Sequence, residues 1–485
     1  MSQVINSKEI KELFSQSGDV LVRPIHINHK NNIIISVFCV DGLVNSDLLD
    51  QTILRPISLD QGLKACMDEK SVLNYLLEGA AYHAFASETN DYELVLKGVM
   101  SGMAALLFDQ EKKALLFDVR TFDKRSISEP SDEGVMKGAK DAFIEVMRTN
   151  TALIRRRIRS EYLVMEQMSV GKVSKTDLSI AYLSNVADMN TVNKLKDSLK
   201  NIDIDSISTP SFVEEFIVDN KKSIFPQAMY TQRPDRCCSN ISDGRIGLIV
   251  DGIPFVYLLP CQLPMLMQSS DDYANNYIIS SSLRIIRYLA MIGTILLPAF
   301  YIAVTTFQNQ MLPVQLALSI QKAKLGVPFS SAIEVLGLLL AFEILIESGL
   351  RLPKTVGTAM SILGGLVVGQ AAVSAQLVSP AVVVIVALSG IAGFTVPNQD
   401  LSSAIRIIRF GFAILASFAG FFGLMVGIIL LVTHLCSLDN YGVAYLSPFV
   451  DIESMNHKDT LFRFPVKYFK MRPDGIADKN KRKQK

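Results

Sequence analysis

The apolar residues of this chain crowd into its second half. No residue carries a charge from Tyr288 to Gln321, nor from Thr355 to Gln399. Segments 288–307, 332–348, 356–375, 380–396 and 410–435 read as helices, and the first is long enough for the roughly 30 Å hydrocarbon core of a bilayer. Pro298 is expected to kink that helix. The short link 376–379 makes its neighbours an antiparallel helical hairpin, and Met311–Ile320 fits a re-entrant piece.

The first half carries the period-two pattern of strands. NIIISVFCV (32–40) ends at Asp41-Gly42. MAALLFDQEKKALLFDVRT (103–121) places two apolar strands around a charged turn, and RIGLIVDGIPFVYLL (245–259) repeats this with Asp251-Gly252, the signature of a tight hairpin with positive φ at both central residues. LSIAYL (178–183) opens another strand before a polar helix at 188–200. The order strand, helices, hairpin occurs twice, over about 32–121 and 177–260, as two α/β subdomains related by pattern. Between them, 133–158 has helical periodicity and ends in Arg155-Arg156-Arg157. That triplet fits a phosphate or lipid head-group site, or a solvated helix end matched to the helix dipole.

The expected architecture is an α/β cytosolic N-terminal half of two subdomains, joined to an all-α polytopic transmembrane domain of four to five helices. The expected divisions are 1–158, 159–285, 286–436 and a polar, basic tail over 437–485. The start, MSQVINSKEIKELFSQ, is polar and charged, so no cleavable signal peptide is expected. Arg284 and Arg287 place the start of the first span inside. Five spans then keep Arg351, Lys354, Arg406 and Arg409 inside but leave the tail, ending KNKRKQK, outside. Four spans reverse both outcomes.

Composition removes several classes of function. In 485 residues, Lys plus Arg (48) balances Asp plus Glu (47), which argues against nucleic-acid binding. The six cysteines include the adjacent pair Cys237–Cys238 but no CxxC, so reduced thiols are expected, with no zinc or redox site. His26 and His29 lack the companions a metal needs. No phosphate loop, GxSxG, HExxH or dinucleotide fingerprint occurs. No enzyme, cofactor or metal is expected.

Chemistry concentrates in the apolar half. Glu343, Glu347 and Arg351 follow at four-residue spacing, and Glu347 before Arg351 is the favourable order for an ion pair. A carboxylate facing lipid costs roughly 2.5–3.5 kcal/mol, so these acids face protein, water or an ion. One reading is an ion or gating element; the other is an interfacial helix with a Glu347–Arg351 clamp. In 356–375, Gly357, Ser361, Gly365, Val368 and Ala372 share one helix face, a small-residue stripe that lets another backbone approach. Gln370 falls opposite, among Leu363, Leu366, Val367, Ser374 and Leu377. A hydrogen bond from Gln370 to another helix, or a water-filled pore, would satisfy it.

The chain resembles the A subunit of GerA-type spore germination receptors. The resemblance rests on DGLV (41–44), ILRP (53–56), TNTALIRRRIRS (149–160), NIDIDSI (201–207), FPQAMYTQRPD (225–235), GRIGLIVDGIPF (244–255), QSSDDY (268–273), SGLRLP (348–353), GGLVVGQAAVSAQLVSP (364–380) and HL (434–435). It departs where TQRPD replaces TERPD, where Gln376 stands for the usual glycine, and where leucine and methionine replace aromatics at 265–267. The resemblance implies a multi-pass protein of the spore inner membrane, its N-terminal domain on the core side. Its partners would be a transporter-like B subunit, which mainly binds the nutrient, and a lipoprotein C subunit. Several copies, a pentamer, would form a nutrient-gated channel for monovalent cations. The face of Leu363, Val367, Gln370 and Ser374 would then line the gate, with Glu343 and Glu347 along the ion path. The face of Gly357, Ser361, Gly365 and Ala372 would pack against a neighbouring helix. A nutrient transporter and a non-conducting scaffold are the rival readings.

Overall fold

A computed structural model describes residues 5–28, 33–80, 86–120, 133–134, 137–207, 209–351, 369–450, 458–473 and 475–484. The chain divides into two compact units. One comprises Met1–Asp219, Ala228–Pro260 and Phe469–Lys485; the other comprises Asn220–Gln227 and Cys261–Tyr468.

The first unit holds two antiparallel five-stranded sheets. One is built from β1 (Val20–Asn28), β2 (Ile33–Val40), β3 (Ala86–Thr89), β4 (Ala104–Phe108) and β5 (Lys113–Phe117), in the order β1-β2-β4-β5-β3. The other is built from β6 (Leu163–Val170), β7 (Thr176–Leu183), β8 (Met229–Thr231), β9 (Ile246–Val250) and β10 (Val256–Leu259), in the order β6-β7-β9-β10-β8. The two sheets therefore share one strand order, and each closes on a short strand from the preceding connection.

The central strands read as continuous apolar runs because both faces are covered. In β2, Ile33, Ile35, Val37 and Cys39 enter one core, which the segment 49–76 completes. Phe38 and Val40 enter the other, with Val95, Leu96 and Val99 of α1 (Tyr92–Met100). In β4 and β5 the residues alternate between the same two cores.

Three local expectations need correction. Among the described residues of the segment 133–158, only Met147–Arg157 (α2) is helical. The residues before it are held by outside partners: Phe143 N–H donates to the Gln232 carbonyl at 2.8 Å. The hairpin at Asp251-Gly252 is not a two-residue turn, because Val256 pairs with Ile249 and only Gly252 of the two has positive φ, +83°. Asp251 is recruited elsewhere: its N–H donates to the Asp177 carbonyl, and its Oδ1 accepts from Met147 N–H at the start of α2. Finally, Arg155 is neither solvated nor a head-group ligand. Its guanidinium is buried, with Nε and Nη2 donating to Asp19 at 2.7 and 2.8 Å and Nη1 to the Leu163 carbonyl at 2.8 Å. It ties the two sheet layers together, while Arg157 pairs with Asp141. The polar helix at 188–200 is present as α3 (Met189–Lys200), capped by Asp188.

The second unit is helical. Its main elements are α4 (Tyr277–Thr306), α5 (Val314–Lys324), α6 (Ser331–Arg351), α7 (Pro380–Gly393) and α8 (Gln399–Ser437). Two of these, α4 and α8, are long and apolar enough to cross a membrane. The span expected at 410–435 is not continuous, since α8 breaks at Gly420, where φ is +58° and ψ is −132°. A Cβ built on Gly427 would lie 3.0 Å from the Phe412 ring, and one on Gly423 would strike the Leu415 carbonyl. In an unbroken helix residues 412 and 427 would be about 22 Å apart. The chain therefore doubles back at Gly420 into two antiparallel arms, 399–419 and 421–437. Only glycine adopts this backbone at low cost.

The described residues beyond Ser437 are held by specific contacts. Asp439–Asn440 pairs with Val443–Ala444, and buried Asn440 donates to the Gln227 and Cys261 carbonyls. In the first unit Ala477 bridges Ala187, and Arg472 Nε donates to the Ser242 carbonyl at 2.9 Å.

Candidate functional site

Four helical segments of the second unit meet around a charged centre. Pro298 removes one backbone donor from α4 and so frees the carbonyl of Thr294, four residues back. Ser389 of α7 fills that vacancy, its Oγ donating to Thr294 O at 3.0 Å. Ser389 Oγ in turn accepts from Arg409 Nη1 at 3.3 Å. Arg409 lies on the first arm of α8 and is 0% exposed.

Opposite stands Glu343 of α6. Its Oε1 lies 3.0 Å from Arg406 Nη1, and its Oε2 lies 3.7 Å from Arg409 Nη2. The second distance allows attraction without a hydrogen bond. Arg409 Nε, Arg409 Nη2 and Arg406 Nε accordingly have no hydrogen-bond partner among the described residues. Arg409 is fully buried while Glu343 is half-buried, so removing the acid leaves a buried charge unpaired at a cost towards the lower end of the roughly 3–5 kcal/mol typical of buried ion pairs. The sequence singled out Glu343 but treated Arg406 and Arg409 only as flanking charges. Their spacing of three on a helix, opposite an acid on another apolar helix, was the available signal.

A second polar contact lies further along the same helices. Glu334 is buried and accepts the Ser379 N–H at 2.7 Å, at the N-terminus of α7. Lys324 at the end of α5 approaches Glu334 at 3.5 Å and donates to Ser331 Oγ at 2.6 Å. A carboxylate at a helix N-terminus satisfies a free backbone donor and the helix dipole together.

A third cluster pins the base of α4. Asp272 is buried; it accepts from Arg284 Nε at 2.9 Å and from both Arg287 Nη atoms at 2.8 and 2.7 Å. Arg284 Nη1 also donates to Asp459 Oδ1 at 2.7 Å. Burial alone would raise the Asp272 pKa, but the hydrogen bonds and charges of Arg287 and Arg284 outweigh it and hold the carboxyl below its ordinary range. The motif QSSDDY thus supplies the acid that seats the first long helix.

Of the residues singled out in the sequence, Gln370 and Ser374 are exposed and Ala372 is half-buried, in a helical stretch ending before Ser379. Leu363, Val367, Gly357, Ser361 and Gly365 lie outside the described residues. Glu347 and Arg351 form an exposed pair at 2.9 Å, one helical turn apart and separate from the Glu343 cluster. His26 is exposed on β1, and His29 lies outside the described residues. Cys39, Cys66, Cys237, Cys238 and Cys261 are buried thiols outside any disulfide, while Cys436 is exposed. Burial pushes the Cys39 thiol up to about 11 and the Cys238 thiol up to about 12, which suppresses thiolate chemistry.

Two helices long and apolar enough to cross a membrane, packed around a charged centre, together with a unit of two paired sheets, fit a membrane-associated protein. A family model, the Bacillus/Clostridium GerA spore germination protein, matches residues 8–475, and the chain belongs to that family. It is 36% identical over 479 residues to spore germination protein KA of Bacillus subtilis strain 168, covering 99% of this chain and 87% of that one. It is also 36% identical over 435 residues to spore germination protein B1 of the same organism, covering 90% and 89%. Among solved structures, it is similar to the N-terminal domain of the A subunit of the Bacillus megaterium spore germinant receptor GerK3. That likeness has 27% identity and a TM-score of 0.43, and covers 54% of this chain and 97% of that one.

Proposed function

We propose that this chain is the A-type subunit of a nutrient-responsive germination receptor in the spore inner membrane. It works with B-type and C-type subunits, and several copies form a ring that conducts monovalent cations. The observation that carries the conducting role is the charged centre formed by Glu343, Arg406, Arg409 and Ser389 inside a unit of apolar helices. A purely anchoring domain has no use for so costly a feature.

The face of Leu363, Val367, Gln370 and Ser374 is our choice for the gate. The exposure of Gln370 and Ser374 on the single chain leaves them available to a ring axis. Apolar constrictions of this kind gate by dewetting. Glu343 joins the cation path only when it parts from the two arginines; in the conformation described it is neutralised.

The same reading has a definite topology. Residues 475–484 pack on the soluble unit, with Asp478 N–H donating to the Val186 carbonyl at 3.1 Å. This packing supports a reading in which both chain ends lie on one side of the membrane and the number of crossings is even. The hairpin at Gly420 supplies the crossing that an odd count lacks. On this reading the Ser379 turn lies on the side of the membrane away from the chain ends, and a cysteine introduced at Leu377 should react with an impermeant maleimide added from that side.

The function is tested by reconstituting the purified receptor in planar bilayers. Cation current that appears with nutrient, and that Val367→Ala or Gln370→Leu alters, supports the channel. No current in any nutrient condition, with the subunits assembled, refutes it; nutrient uptake by this chain alone would identify a transporter instead.

A further inference from the structure

The segment 458–468 has a pattern of its own. Asp459 bridges Arg463 in a tight antiparallel turn, and Phe464 N–H donates to the Lys458 carbonyl at 3.0 Å. Arg463 points inward. Its Nη1 donates to the carbonyls of Asp272 and Asn275 at 2.7 and 2.8 Å, and its backbone N–H donates to Ser281 Oγ at 3.0 Å. Its neighbours point outward: Phe462 is 49% exposed and Phe464 42%. Val466 and Tyr468 continue the exposed row, the Tyr468 ring standing edge-on to Phe464 at 6.4 Å. Lys458 and Lys467 are exposed beside them. A buried basic anchor thus holds aromatic side chains out of the fold, ringed by cations.

The height of this row is set by the same bonds. Arg463 is fixed at Ser281, on the turn of α4 just past Ile278 and Ile279, which are 60% and 56% exposed. The charge-free run begins at Tyr288, seven residues on, or about 10 Å along the helix. Phe449 from the same C-terminal region already packs edge-on against Tyr288. The row therefore sits one head-group layer outside the level where α4 enters hydrocarbon, where aromatic rings and basic side chains collect in membrane proteins.

We propose that Phe462, Phe464, Val466 and Tyr468, with Lys458 and Lys467, dock on the head-group boundary of a bilayer containing anionic phospholipid. The aromatic rings enter the acyl boundary and the lysines meet the lipid phosphates. The C-terminal segment thereby becomes a membrane foot that fixes the height of α4 through Arg463 and Arg284. This rests on the reading that α4 spans the membrane.

The test uses the full chain, which contains no tryptophan. Phe464→Trp supplies a single probe in the foot. Ile292→Trp, at a 48% exposed position on α4, supplies a separate reference. Each variant is reconstituted in vesicles with and without anionic lipid, using acyl chains brominated at shallow or deep carbons. Emission from Phe464→Trp should at least halve with shallow bromines and change less with deep ones. Ile292→Trp should show the reverse order. Adding Lys458→Gln and Lys467→Gln should abolish the extra quenching of Phe464→Trp that anionic lipid gives. If Ile292→Trp is quenched while Phe464→Trp is not, the foot is refuted and the spanning helix stands. If neither is quenched, the spanning role of α4 fails and the foot with it.

Discussion

Replacing Gly420 by alanine should disrupt the helical unit far more than the same change at Gly411 of α8. At φ +58° and ψ −132° an L-residue is strained, at a cost of roughly 1–3 kcal/mol. The added Cβ would also meet Phe307 Cβ at 2.9 Å, an atom close to the backbone and unable to swing away. Together these give a loss of about 3 kcal/mol or more. Gly411 offers the control, because its Cβ would meet nothing within 4 Å. Thermal unfolding in lipid nanodiscs reads the difference. A separate measurement reads the geometry: with Cys436 changed to serine, Phe412→Cys and Gly427→Cys should be joined by a short bis-maleimide. An unbroken helix would hold them about 22 Å apart. If that pair stays unlinked while Phe412→Cys and Ala416→Cys react, or if Gly420→Ala melts like the parent, the hairpin is wrong.

Glu343→Gln leaves Arg406 and Arg409 without their acid, and should cost about 3 kcal/mol; Glu347→Gln removes only an exposed pair and should cost under about 0.5 kcal/mol. Melting both variants side by side checks the contrast. Arg155→Leu or Asp19→Leu alone should cost about 3–5 kcal/mol, while the double variant should cost less than either single one, as a double-mutant cycle will show. Asp272 titrates low in the folded chain, so the stability it gives is full above its unfolded value of about 3.9 and falls as pH drops through the lower folded value. Asp272→Asn should flatten that acid limb in unfolding measured against pH. Gln376→Gly should raise the melting temperature, because Gln376 holds φ at +52°, at roughly 1–2 kcal/mol for an L-residue, more than the about 0.5–1 kcal/mol that glycine loses in entropy.

Periodicity and turn chemistry located β2, β4, β5, β7, β9 and β10, because burial on both sheet faces leaves continuous apolar runs such as β2 and β9. They also located the long apolar helices, but they missed β1, β3, β6 and β8 and most short helices of the first unit. The errors arose where a distant partner outcompeted local preference. Residues 137–146 have helical periodicity, yet their backbone is taken by Gln232 and neighbouring groups. Asp251-Gly252 is a strong two-residue turn signal, but Asp251 is claimed by Asp177 and Met147. The break at Gly420 left no mark in a hydropathy profile, since one glycine among several in an apolar run is ordinary. Glu343 was legible as a costly charge in an apolar helix; its arginine partners were not, because they lie some sixty residues away and their pairing depends on the fold.

The three polar clusters of the helical unit differ in how completely they are bonded, and that difference orders their roles. Asp272 takes donors from Arg284 and Arg287, all within 3 Å. Glu334 holds a backbone donor at a helix start at 2.7 Å. Asp272 has both carboxylate oxygens bonded, although Arg284 Nη2 is not, whereas Glu334 Oε1, like Glu343 Oε2, has no hydrogen-bond partner among the described residues. Around Glu343, by contrast, the contact to Arg409 is 3.7 Å, and three guanidinium nitrogens have no hydrogen-bond partner among the described residues. The Glu343 contact, with the most unbonded polar atoms of the three clusters among the described residues, is the one least fixed by its partners.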